Sequence, residues 1–131
     1  MIPNTPQEIF DYVIQRLLEQ GKRSMTGEEG CKYRGDGGTR CALGWLIPDD
    51  LYRAEMDDFH CSWNVQDMLR HDIPAITVLG LELAYEMQRA HDQASDHIPG
   101  LFKESLLENM KYVAFRHNLA WNFEEIPDDR A

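Results

Sequence analysis

The stretch Cys31-Lys32-Tyr33-Arg34-Gly35-Asp36-Gly37-Gly38-Thr39-Arg40-Cys41, continued by Ala42-Leu43-Gly44-Trp45-Leu46-Ile47-Pro48-Asp49-Asp50-Leu51-Tyr52, sets the fold class expected of this chain. Residues 24–40 lose helical periodicity and gain glycine, so 31–41 reads as two short extended arms around a turn at Gly35-Asp36-Gly37. That register sets Cys31 opposite Cys41 and Tyr33 opposite Thr39, on one face. The apolar run 41–47 that follows reads as a short buried helix ended by Pro48. The expected fold is therefore α+β and predominantly helical, with four or five helices and one small β-hairpin.

On the N-terminal side, Thr5-Pro6-Gln7-Glu8 has the form of a helix start: a hydroxyl cap, proline at the first helical position, and a glutamate able to reach back. Ile9, Phe10, Val13, Ile14, Leu17 and Leu18 recur at spacings of three and four, and Gly21 is a suitable end. This predicts a helix over 6–20. On the C-terminal side, 53–63 reads as an acidic loop and Ser62 as the cap of a short helix over 63–71. A long helix is expected from 75 to 94, with Ile76, Leu79, Leu83, Met87 and Ala90 on one face and Gly80 permitting a close crossing. Pro99-Gly100 separates it from a last helix over 101–118, faced by Phe102, Leu106, Met110 and Val113.

At 131 residues the chain fits one domain, 1–131, with about 122–131 read as a flexible acidic tail. Its 43% hydrophobic content and 13 aromatic residues place it among globular chains. No apolar run is long enough for a membrane span and no export signal opens the chain, while three cysteines cannot all pair internally. These features point to a cytoplasmic protein with free thiols and no membrane contact. The net charge of −10 is uneven: 1–45 hold six acidic and six basic residues, 46–131 seventeen and seven. Such a surface disfavours direct nucleic acid binding and suits a partner with a basic surface, although solubility alone is the simpler reading of it.

The pattern Cys31-x-Tyr33-Arg34-Gly35-x-Gly37-Gly38-x-x-Cys41-Ala42-x-Gly44-x-Leu46-Ile47-Pro48-Asp49-x-Leu51-Tyr52 resembles that of an uncharacterised family of small bacterial and phage-encoded proteins. The resemblance spans about 22 residues and implies an intracellular protein, often of mobile-element origin. It supplies no catalytic residue.

Four constellations have the residue types that chemistry requires. Cys31, Cys41, His60 and Cys61 are zinc-type ligands, although the nine residues between Cys31 and Cys41 exceed the usual knuckle spacing, and buried structural thiols are the simpler reading. His71-Asp72 and His91-Asp92, with Asp96-His97, have the pairing used by helical metal-dependent phosphohydrolases. Each pair also sits where a helix-end histidine is favourable electrostatically. Cys41 or Cys61 as a nucleophile needs a lowered thiol pKa, which burial opposes. Gly35, Gly37 and Gly38, flanked by Lys32, Arg34 and Arg40, could cradle a phosphate through backbone amides and cations, but the run lacks the endings of phosphate-binding loops.

Asp49, Asp50, Asp57 and Asp58 supply acidic contacts for a partner, and Trp121 and Phe123 supply aromatic ones. The reading this sequence favours is a small acidic accessory protein, non-enzymatic and without a cofactor, that binds and inhibits a basic protein partner. The alternative is a phosphate or nucleotide binder, or a metal-dependent hydrolase, built on the glycine turn and nearby histidines.

Overall fold

A computed structural model describes residues 2–24, 32–57, 64–94 and 101–123, with every side chain among them except that of Asp36. Among the described residues five α-helices follow in order: α1 (Pro6–Gln20), α2 (Val65–Arg70), α3 (Pro74–Leu79), α4 (Leu81–Asp92) and α5 (Leu101–Arg116). Short 3-10 turns lie at Asp36–Gly38, Leu43–Leu46 and Ala54–Asp57.

The start of α1 forms from local chemistry alone. Thr5 Oγ1 accepts from the Glu8 N–H at 3.3 Å, and the Glu8 carboxylate reaches back to the Thr5 hydroxyl at 2.7 Å. The helix ends at Gly21, whose N–H bonds the Leu17 carbonyl. Its stripe Ile9, Phe10, Val13, Ile14 and Leu17 is wholly buried. Against that stripe sit the 3-10 turn Leu43–Leu46, α3 and α5, while α4 lies along α5 and closes over α2 and α3. Leu43, Leu46, Met68, Ile76, Met87, Leu106 and Met110 complete one continuous core.

The long helix expected over 75–94 is two helices. At Gly80 the backbone takes φ 85° and ψ 165°, a conformation that side-chain-bearing residues rarely adopt. Its N–H closes α3 on the Ile76 carbonyl and its carbonyl opens α4 by accepting from Ala84. A Cβ placed there would meet nothing within 4 Å, so Gly80 serves the turn and not a close crossing. The helix expected over 63–71 spans Val65–Arg70 and is capped by Asn64, which exchanges reciprocal hydrogen bonds with Asp67. Ser62 and Trp63 lie outside the described residues.

The expected β-hairpin does not form: among the described residues there is no strand, only one antiparallel bridge between Arg34 and Arg40. The register differs as well, since Gly35 donates to the Thr39 carbonyl at 2.9 Å in place of Tyr33 facing Thr39. The reason lies in where the backbone groups of the two arms go. The Tyr33 and Arg34 N–H groups both donate to the Asp57 carboxylate, at 2.8 and 3.1 Å. The Lys32 N–H donates to the Ser24 carbonyl, and the Arg40 N–H and carbonyl are both taken by the Gln20 side chain. These donors and acceptors, bonded to other segments, are withdrawn from a ladder. The fold is accordingly helical.

Candidate functional site

The glycine turn and the segment after it form one interlocked unit. Asp57, at the end of its 3-10 turn, receives the two backbone N–H groups and also the Tyr52 hydroxyl at 2.7 Å. Arg34 lies over the Tyr52 ring, its Cζ 4.2 Å from the centroid, and donates to the Ile47 carbonyl at 3.3 Å and to Asp49 at 2.8 Å. Arg40 covers the Trp45 ring and stands 3.6 Å from the same Asp49 carboxylate. The close seam is at Gly44, where a Cβ would lie 2.0 Å from the Tyr33 carbonyl oxygen. Burial, then the bond to Asp57, pushes the Tyr52 hydroxyl up to about 12 from its ordinary 10.0. Burial likewise raises Tyr33.

This arrangement bears directly on the phosphate-cradle reading. Lys32 donates to the Asp57 carbonyl at 3.0 Å, and Arg34 and Arg40 are directed at Asp49 and at aromatic faces. Gly37 and Gly38 are exposed and border a groove of about 340 Å³ lined also by Arg16, Glu19, Gln20, Lys22, Thr39 and Trp45. The glycines and the three cations thus do not converge on one groove.

Of the expected metal ligands only Cys41 is described; Cys31, His60 and Cys61 lie outside the described residues. Cys41 is fully buried, its sulfur accepts from the Gly44 N–H at 3.4 Å, and burial drives its thiol pKa upward, away from nucleophilic character. His91 is buried inside the protein, edge-on to Phe102, with Nε2 3.4 Å from the Ser24 nitrogen and Nδ1 3.0 Å from Asp92. Asp92 is held by Gln88, which also accepts the Leu43 N–H. His91 therefore ties α4 to Ser24 in the segment after α1, and Gln88 ties it to Leu43. His71 and Asp72 are exposed beyond α2, and Asp96 and His97 are outside the described residues. The metal-competent group that the described residues do assemble is Glu82, Glu86 and His117, which the sequence reading missed. The spacing of the two glutamates was visible on one helix; the arrival of His117 from the end of α5 was not.

The residues expected to meet a partner divide. Asp49 and Asp50 are exposed, Asp57 is engaged as described, and Asp58 lies outside the described residues. Trp121 and Phe123 turn inward: Trp121 packs edge-on to Phe10 at 6.4 Å and Phe123 follows at 5.4 Å. Gln7 exchanges two bonds with Ala120, and Asn122 donates to Asp11, so the start of the expected tail is seated on α1. Residues 124–131 lie outside the described residues.

A different aromatic surface is exposed. Leu81 and Tyr85 on α4 and Tyr112 and Phe115 on α5 stand in solvent, Phe115 at 80%. Tyr85 and Tyr112 flank a groove of about 520 Å³ that also holds Glu86, Arg89, Glu108 and Arg116. These side chains fall outside the apolar stripes, and a single aromatic on a polar face gives no sign that its neighbour lies on another helix.

Among the described residues no helix is long and apolar enough to cross a membrane. No protein-family model, curated protein or solved structure matches the chain.

Proposed function

We propose that this chain acts by binding a protein partner with a basic surface, and that the α4–α5 face is where it does so. The observation that carries the reading is the exposure of Leu81, Tyr85, Tyr112 and Phe115 along one pair of packed helices. Large apolar side chains grouped in solvent mark interaction surfaces, and aromatics dominate the energetics of such interfaces. The charge of −10 on the whole chain, with the excess in 46–131, complements a basic partner and steers its approach. Mobile-element origin, implied by the motif around Cys31 to Tyr52, would make the partner a host protein and its inhibition the purpose.

Phosphate or nucleotide binding at the glycine turn has less support, because Arg34 and Arg40 already hold Asp49. Metal-dependent hydrolysis at the His-Asp pairs has less still, because His91 is closed into the core.

The test is capture from lysate by the immobilised native chain in parallel with a Tyr85→Ala/Phe115→Ala variant, at low and high salt. The expected result is one stoichiometric basic partner, held by the native chain at low salt, weakened as salt shortens the electrostatic range, and lost by the variant. No stoichiometric partner at low salt, or equal capture by both chains, overturns the proposal.

A further inference from the structure

We propose that Glu82, Glu86 and His117 form a binding site for a divalent transition-metal ion, best matched by Zn2+, in which the ion takes the position now filled by the Arg116 guanidinium. The inference is independent of partner binding. One ligand atom from each of the three residues lies within 4.8 Å of the other two. Two carboxylate oxygens and one imidazole nitrogen are a donor set that zinc accepts readily, with ligand distances of roughly 2.0–2.2 Å, so the three atoms need to draw in modestly around the ion.

The fold supplies this set from two helices. Glu82 and Glu86 are one turn apart on α4 and project from the same side. His117 follows the last residue of α5, and its N–H still bonds the Val113 carbonyl, so the imidazole leaves a helical backbone at a defined angle. The packing of α4 on α5 brings it to Glu86, with Nε2 3.1 Å from Oε2.

Two further observations point to a cation. The first is that one is already drawn in. Arg116 places Nε 2.8 Å from Glu86 Oε1 and Nη2 3.3 Å from both Glu86 Oε2 and Glu82 Oε1, bridging the two carboxylates. The second is the imidazole itself. Its Nε2 is shut off from solvent, yet the Glu86 contact lacks hydrogen-bond geometry and the atom has no other partner. A buried ring nitrogen without a hydrogen bond is costly, and coordination satisfies it. Arg116 is 43% exposed, so its side chain can swing into water when a divalent ion enters. Glu82, at 72%, leaves the outer side of the site open for a water ligand.

The experiment is calorimetric titration of Zn2+ into the chain carrying Cys31→Ser and Cys61→Ser, which removes competing thiols outside this site. One Zn2+ per chain is expected. His117→Ala and Glu86→Gln in that background, with helical circular dichroism retained, should each weaken binding by about tenfold or more. Arg116→Ala removes the resident competitor and should tighten binding severalfold, up to about tenfold. This gain cannot arise from misfolding. In the unaltered chain, Zn2+ should shift the His117 imidazole resonances before those of His71. Absence of one-to-one binding overturns the proposal, as does an affinity unchanged by both His117→Ala and Arg116→Ala.

Discussion

The glycine-rich unit over 32–57 and the α4–α5 face contain similar materials, arginines, carboxylates and aromatic rings, and use them in opposite ways. In the first, the polar groups of Tyr33, Arg34, Arg40, Tyr52 and Asp57 bond within the unit or to α1. Asp57 gathers two backbone N–H groups and a phenol, Arg34 is sandwiched between Tyr52 and Asp49, and Arg40 lies on Trp45. In the second, Tyr112 and Phe115 face solvent, and Arg116 and the glutamates form a surface cluster. The glycine-rich segment thus forms an internal joint of the molecule, while α4 and α5 carry exposed aromatic side chains. Motif residues that satisfy one another preserve a shape; side chains left unsatisfied are the ones available to a partner.

The comparison can be broken most decisively at Gly44. Replacing it with alanine sets a methyl group against the Tyr33 carbonyl, and neither backbone can yield without dismantling the seam. Gly44→Ala is expected to lower stability by about 3 kcal/mol or more, read by urea unfolding. A neutral outcome would mean that the glycine unit is not the joint described here.

A smaller effect sharpens the same point at Tyr52. Its hydroxyl is favoured in the neutral form by the fold, so its contribution is fully present below pH 10.0 and is lost as pH rises through about 12. Tyr52→Phe should cost about 1 kcal/mol at neutral pH and leave a shallower alkaline loss of stability, the residual slope coming from Tyr33 and Cys41, whose pKa values burial also raises. Chemical unfolding across the alkaline range, followed with phenolate absorbance, checks both parts. An unchanged alkaline slope would remove Tyr52 from the joint.

The smallest effect belongs to the other region. Tyr112→Ala and Phe115→Ala should each change stability by less than about 0.5 kcal/mol, because these rings are 62% and 80% exposed. Large destabilisation of either variant would place the α4–α5 aromatics with the scaffold and end the contrast.

How much of this was legible beforehand depends on the range of the interaction involved. The glycine arms have the alternation and turn residues of a hairpin, and one bridge of that hairpin exists, but the carboxylate that diverts their N–H groups belongs to Asp57, more than twenty positions later. The tail aromatics Trp121 and Phe123 follow the last helix and were read as partner contacts; Trp121 packs on Phe10, joining opposite ends of the chain, and Phe123 packs on Trp121. The candidate metal group fails to announce itself for the same reason, since two glutamates one turn apart on an acidic helix are ordinary until His117 arrives from α5.

What the sequence by itself determined was settled within a turn or two of helix, although the break at Gly80 and the Asn64 cap, equally local, were missed. The bounds of α1 follow from Thr5, Pro6, Glu8 and Gly21 acting on their immediate neighbours, and the buried faces of α1, α4 and α5 follow from spacings of three and four. Tertiary structure alone decided the bonding of the glycine arms, the packing of Trp121 on Phe10, the placing of Tyr85 and Tyr112 on one groove, and the meeting of Glu86 with His117. Local hydrogen bonds and periodic burial are encoded in short segments, whereas the competition of a distant side chain for a backbone donor is resolved only when packing brings the two together.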